Sequence, residues 1–184
     1  MLHLRNYYIK IPNNISLTLD NNILIIEGPL GLKKLLVYNR IFLNKTKTKV
    51  TVTNSLVKTL PETQTKKTIQ GITFSLINYL IYGVQFGFKK QLIIVGVGYK
   101  VALENNNEIL SFKLGYSHLI KIKIPLNLKV TCNKSTIISI SGICKQDVTD
   151  FAALIKSQKF PEPYKGKGIK YFDEIIIKKE GKRS

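Results

Sequence analysis

Apolar and polar residues take turns along the first third of the chain. Ile15, Leu17 and Leu19 alternate with Ser16, Thr18 and Asp20, a period of two that predicts a strand with one buried face. Asn21-Asn22 follows and reads as a hairpin turn, because Asn tolerates positive φ. Ile23 to Glu27 is the return strand. Gly28-Pro29-Leu30-Gly31 punctuates, Lys33 to Tyr38 resumes an extended pattern, and Lys49 to Thr53 alternates again with Val50 and Val52 on one face. Pro61 ends this strand-rich region. From about Thr63 the period turns helical: Ile69, Ile72, Leu76, Leu80 and Val84 recur at three- and four-residue steps, and Gly83 and Gly87 are natural stops. This helix is expected to cover one face of the preceding sheet.

A second cycle begins near Phe88. Gln91 to Val97, Lys100 to Leu103, Ile109 to Leu114, Leu119 to Ile124, Leu128 to Cys132 and Ile137 to Ser141 read as strands, with a turn at Asn105-Asn106-Asn107. A second helix spans about Lys145 to Ser157, with Val148, Phe151, Ala152 and Ile155 on one face and Asp147 or Thr149 near its start as a cap. Strands then helix, twice over, predicts an α+β protein of two tandem units, 1–86 and 87–184. Each unit is a small, mostly antiparallel sheet packed with one helix. Ile15 to Gly28 and Leu128 to Gly142 share a strand–turn–strand–Gly pattern, a weak sign of duplication.

Charge changes the picture more than the fold class does. The 184 residues carry a formal net charge of +18, and hydrophobic residues make up 44%, enough for a folded core. A compact chain with this charge repels itself, and a polyanion relieves that repulsion. Nucleic acid is the leading partner, ahead of an anionic membrane surface. No acid lies between Glu27 and Glu62 or between Glu108 and Asp147, so long stretches of positive surface are expected. All the cations but Arg5, Arg40 and Arg183 are Lys. A peripheral membrane protein needs an amphipathic helix with a basic face, and the first helix has Lys only at its start.

Catalytic chemistry finds no constellation. Gly96-Val97-Gly98 lacks the third glycine and the following helix of a dinucleotide fingerprint. Gly166-Lys167-Gly168 is not followed by the Ser or Thr of a phosphate loop. His3 and His118 are isolated imidazoles. Ser117 beside His118 is no nucleophile–base pair, since strand neighbours point to opposite faces. Cys132 and Cys144 form no Cys-x-x-Cys and read as small apolar side chains in strands of a protein from a reducing compartment. No enzyme activity, metal or cofactor is expected.

The informative segment follows the second helix: Phe160-Pro161-Glu162-Pro163-Tyr164-Lys165-Gly166-Lys167-Gly168-Ile169-Lys170-Tyr171. Two prolines impose an extended path. Lys165, Lys167 and Lys170 bring charge. Tyr164 and Tyr171 offer flat faces for bases or sugars, and Gly166 and Gly168 let main-chain N–H groups approach phosphates. The stretch reads as a basic tail outside both sheets and helices, ordered by its partner and open to protease between Lys159 and Lys170 without it. A solvated basic turn is the plain alternative.

Pro161 to Tyr171, continued by Asp173-Glu174, resembles the C-terminal signature of the universal ribosomal protein L6 family in its bacterial or organellar form. Gly87 to Lys100 resembles the start of that family's second unit, and Leu114-Gly115-Tyr116-Ser117-His118 a third block. The resemblance implies two tandem α+β units and a structural role in the large ribosomal subunit. It implies direct binding of large-subunit ribosomal RNA, chiefly through the second unit and its tail. It also implies neighbouring ribosomal proteins and a place near the region where translation GTPases dock. Tyr164, Lys165, Gly166, Lys167, Gly168, Lys170 and Tyr171 carry over as RNA contacts, with Lys159, Lys89, Lys90, Tyr116 and His118 behind them. Lys stands at 100, 159 and 170 where the family often has Arg, and Lys cannot fork onto a phosphate. Phe160 stands where a basic residue is frequent. A free-standing RNA-binding module is the runner-up. Abundant Ile, Lys and Asn resemble AT-rich coding, and Met1 to Pro12 lacks a signal-peptide core. Together these favour an organelle-encoded mitochondrial protein, with a plastid or an AT-rich bacterium as alternatives.

Overall fold

The computed structural model describes residues 7–37, 41–46, 48–54, 62–105 and 108–180. Arg5, Arg40, Arg183, His3, Tyr38, Pro61 and the last two residues of the Asn105–Asn107 turn lie outside them. The chain divides into two compact units after Gly87.

The first unit runs β1 (Tyr7–Lys10), β2 (Ser16–Asp20), β3 (Ile23–Gly28), β4 (Gly31–Leu36), β5 (Ile41–Lys45), β6 (Lys49–Asn54) and α1 (Glu62–Gln85). The second runs β7 (Phe88–Val95), β8 (Lys100–Glu104), β9 (Ile109–Lys113), β10 (Ile120–Lys123), β11 (Leu128–Lys134), β12 (Ile137–Gly142), α2 (Lys145–Ser157) and β13 (Gly168–Tyr171). Every strand pair among the described residues is antiparallel. The fold is α+β, as the periodicities predict.

The alternating stretches form hairpins: Ile15 and Leu17 are buried as predicted, with Leu17 facing Ile26 across β2 and β3, and Val50 and Val52 lie in the core, but Leu19, near the hairpin tip, is 47% exposed. Asn21 takes φ 50° at the hairpin tip. Helix α1 packs on β1, β3, β4 and β6. Its buried stripe is Thr73, Ile77, Ile81 and Val84; of the predicted stripe only Val84 is fully buried, while Ile69, Leu76 and Leu80 are half-buried and Ile72 is 47% exposed. The helix is apolar around most of its girth, so the period alone does not choose between adjacent stripes. Thr73 is tolerated in the core because its hydroxyl donates to the Ile69 carbonyl at 2.9 Å. Gly83 lies buried inside the helix, and Gly87, at φ 74°, follows its end.

The element order repeats. In the first unit the sheets are β5–β6–β1 and β2–β3–β4; in the second they are β11–β12–β7, extended by β13, and β8–β9–β10. Each set ends in a helix. The topology therefore matches Ile15 to Gly28 with β8 and β9, and Leu128 to Gly142 with β5 and β6. This corrects the pairing read from the sequence, because strand–turn–strand–Gly describes any hairpin. β13 has no counterpart among the described residues of the first unit.

The second core gathers Leu92, Ile94, Phe112, Ile138, Ile140 and Ile169 against Val148, Phe151, Ala152 and Ile155, the predicted face of α2. The predicted cap is different. Cys144 occupies the N-cap without a side-chain bond, and the Thr149 hydroxyl turns back onto the carbonyls of Lys145 and Gln146 at 3.0 Å. Asp147 sits in the first turn, where its charge suits the helix dipole. Cys132 lies in β11 as expected and Cys144 does not lie in a strand; both are half-buried, and burial pushes the Cys132 thiol up. No helix of the described residues is long and apolar enough to cross a membrane.

Two strands, β1 and β5, have no counterpart in the sequence reading, and β13 overturns part of it. The signature is not an open tail. Gly168 to Tyr171 pairs with β7 in the register Gly168↔Val95 to Tyr171↔Leu92, and Ile169 is fully buried. Burying that side chain alone contributes about 1.5–3 kcal/mol. A paired, buried strand does not offer itself to protease, so the expected cutting window survives at most in the loop before it.

Candidate nucleic-acid interface

The signature is a closed loop followed by a strand. The Gly166 N–H donates to the Glu162 carbonyl, and the Glu162 N–H to the Lys167 carbonyl, both at 2.8 Å. Gly166 takes φ 68°, the left-handed conformation that closes such a turn. Its N–H is thus engaged inside the protein and is not free for a phosphate, contrary to the sequence reading. Gly168 is tight for a different reason. A Cβ there would stand 2.6 Å from the Phe160 carbonyl oxygen and 2.7 Å from the Pro161 Cα. The close approach is between two protein segments, not between protein and ligand.

The lysines of the signature stay accessible around this frame. Lys165 is exposed, and Lys167 and Lys170 are half-buried. Tyr164 is 56% exposed, with its ring available for stacking. Strand alternation sorts the remaining candidates. On β7, Leu92 and Ile94 face the core, so Lys89, Gln91 and Ile93 face outward. Lys89 and Lys129 both stand opposite Ser141 in the register, and Lys170 stands opposite Ile93, so Lys89, Lys129 and Lys170 share the outer face. Nothing in the sequence singles out Lys129; its cross-strand register is the missing signal.

Lys90 belongs to the other face. Its ammonium lies 5.8 Å from the Tyr171 ring centroid, and that of Lys156, from α2, lies 4.7 Å from the same ring. Lys156 also donates to both carboxylate oxygens of Glu174, at 2.7 and 2.8 Å, and the Tyr171 N–H adds a third bond at 3.1 Å. Tyr171 is therefore a half-buried packing partner of two lysines rather than a free stacking face.

A separate group forms where the Leu114–His118 block meets the end of α2. The Tyr116 hydroxyl donates to the Gln158 carbonyl at 3.1 Å, Lys159 lies 4.4 Å over the Tyr116 ring, and the His118 ring stacks at 6.2 Å with a 25° tilt. The Lys159 carbonyl accepts from the Ile169 N–H at 2.9 Å, which ties this group to β13.

Lys156, through its hydrogen bonds to Glu174, holds the Glu174 carboxyl below the usual carboxylate range, and burial opposes that only in part. An unfolded Glu titrates near about 4.3, so the pair's stabilisation is complete above that value and is lost as pH falls through the lower folded-state pKa. The melting-temperature gap between the wild type and Glu174→Gln should be steady from about pH 5 to 8 and close below about pH 4. Thermal melts across pH check this; a gap unchanged into acid would show that the carboxylate charge is not what stabilises the turn.

Fold and site define a strongly basic, two-unit α+β protein whose second unit sets lysines around a signature loop and an added edge strand. Residues 95–172 match the ribosomal protein L6 family. The chain is 43% identical to large ribosomal subunit protein uL6 of Mycoplasma genitalium and 41% identical to that of Mycoplasmoides gallisepticum, each over 99% of this chain and 97% of the relative. It is 38% identical to uL6c of Arabidopsis thaliana, over 95% of this chain and 75% of that protein. The chain belongs to the ribosomal protein L6 family, whose members are structural constituents of the large ribosomal subunit and not enzymes.

Proposed function

We propose that this chain is built into the large ribosomal subunit and binds large-subunit ribosomal RNA through its second unit, stabilising the RNA fold near the translation-factor-binding region. One observation carries the reading. Lys165, Lys167 and Lys170 project from a loop and strand that the protein itself holds rigid, so their charge is presented to a polyanion at little ordering cost. Lys89 and Lys129 extend the positive surface across the sheet. Tyr164 is the stacking contact, and Lys159 with Tyr116 and His118 forms a second contact group beside it. Neighbouring ribosomal proteins and translation GTPases are the protein partners that family membership supports.

The bacterial and chloroplast relatives support a ribosome of bacterial type. They lend nothing to the mitochondrial address expected from composition; the plastid and AT-rich bacterial alternatives fit them better.

Sedimentation separates a subunit component from a free RNA-binding module. The tagged chain should travel with large subunits and stay with them through a high-salt wash. Release into the soluble fraction by that wash would favour the free module.

A further inference from the structure

Glu174 is an acid in the middle of a basic site. Simple electrostatics says that a carboxylate there should weaken the binding of any polyanion. Its geometry argues for a different effect. Past β13 the chain turns at Tyr171 to Glu174, where the Glu174 N–H donates to the Tyr171 carbonyl at 3.2 Å. It then runs back beside the signature loop until the Lys179 N–H reaches the Pro163 carbonyl at 2.9 Å. Glu174 stands at the start of this return. Its carboxylate grips Lys156 on α2, its carbonyl accepts from the Lys170 ammonium at 3.5 Å, and the Lys156–Glu174 pair is largely shielded, with side chains only 19% and 28% exposed.

The return builds a cavity of about 410 Å³ lined by Lys165, Lys170 and Lys178, by the Gly166 backbone, and by two acids, Asp173 and Glu174 itself, whose carboxylate is engaged by Lys156. The Lys178 side chain passes over Gly166, its Cε 3.4 Å from where a Cβ would stand. Three lysines from three segments converge here only because the tail folds back.

We infer that Glu174 is a positioning residue for RNA binding, which anchors the return of the tail to α2 and so sets Lys178 opposite Lys165 and Lys170 in a pocket for an RNA backbone phosphate. This rests on the RNA-binding reading above. It assigns the acid a role through the lysines rather than on the RNA.

The test uses the full chain and a transcript of large-subunit ribosomal RNA, by filter binding over a salt series. Glu174→Gln removes a negative charge from a basic face, so charge alone calls for tighter binding. The positioning role calls for the opposite: affinity about fivefold lower near 0.1 M salt, and a log K against log salt slope shallower by about 0.7 to 0.9, the share of one phosphate. In a Lys178→Ala background the same substitution should cost nothing further, because the interaction it supports is already absent. Binding by Glu174→Gln as tight as the wild type or tighter would overturn the inference, as would a full additional loss in the Lys178→Ala background. If Glu174→Gln fails to fold by circular dichroism, Glu174→Asp decides. It keeps the charge and shortens the reach by one methylene, so weaker binding supports positioning and wild-type affinity overturns it. A wild-type chain that does not bind the transcript would overturn the RNA-binding reading itself and this inference with it, a result distinct from any change confined to the variants.

Discussion

Gly168→Val should destabilise the second unit by roughly 3–5 kcal/mol, enough to leave a domain of ordinary stability near unfolding. Two costs add. The new Cβ would press on main-chain atoms, the Phe160 carbonyl oxygen at 2.6 Å and the Pro161 Cα at 2.7 Å, and backbone cannot swing aside as a side-chain tip can. The residue also holds φ 142°, which L side chains rarely adopt. Relief requires β13 to leave β7, which withdraws Ile169 from the core. Gly166→Val is the control. Its Cβ would meet only the flexible Lys178 side chain at 3.4 Å, so the penalty is the left-handed backbone alone, about 1–2 kcal/mol. Thermal and denaturant melts check both. A Gly168→Val protein that melts within a degree or two of the wild type would show that the close packing against Phe160 and Pro161 is wrong.

Replacing Lys165, Lys167 and Lys170 together by Ala should flatten the salt dependence of RNA binding by roughly two to three units of log K per log salt, about 0.7 to 0.9 for each phosphate that a lysine no longer neutralises. Near 0.1 M salt the same arithmetic gives roughly a hundredfold weaker affinity. The fold should survive, since Lys165 is exposed, Lys167 and Lys170 are only half-buried, and the Lys170 ammonium gives up no more than its long 3.5 Å bond to the Glu174 carbonyl. Filter binding across salt, with circular dichroism for folding, measures it. An unchanged slope would mean that the three lysines face water on the ribosome, and the phosphate-binding cations would have to be sought at Lys89 and Lys129.

The sequence is most legible where one physical signal acts alone. The face of α2 is readable because Val148, Phe151, Ala152 and Ile155 stand out from polar neighbours. α1 is readable as a helix but not as a packed surface, since its apolar residues surround it. β13 is hidden by its own chemistry. Prolines and alternating Lys and Gly advertise an open loop, and the alternation of Ile169 and Tyr171 around Lys170 is too short to outweigh them. The signature lysines can be picked by charge and spacing, yet the alternating pattern is legible only from Gln91 on, so Lys89 and Lys90 do not read as strand neighbours that part to opposite faces. Nor can it find Lys129, Lys178 or Glu174, whose roles depend on register and on the folding back of the tail. Gly166 and Gly168 read as ligand-facing because they flank lysines, and only their neighbours in space show that each serves the protein's own packing.

β13 comes after every other strand and helix of its unit in the chain, and its partner β7 comes first. During synthesis the second unit therefore waits with β7 exposed along one edge, while the first unit, whose elements are all upstream, can already be complete. Closing a pair of such wide sequence separation is slow and is the last step available. The same closing strand carries Lys170 and fixes the loop that bears Lys165 and Lys167. A chain truncated before Gly168 would keep most of its lysines, and so its general attraction to RNA, but not their arrangement. The closing of β13 on β7 and the final arrangement of the signature lysines are thereby the same event.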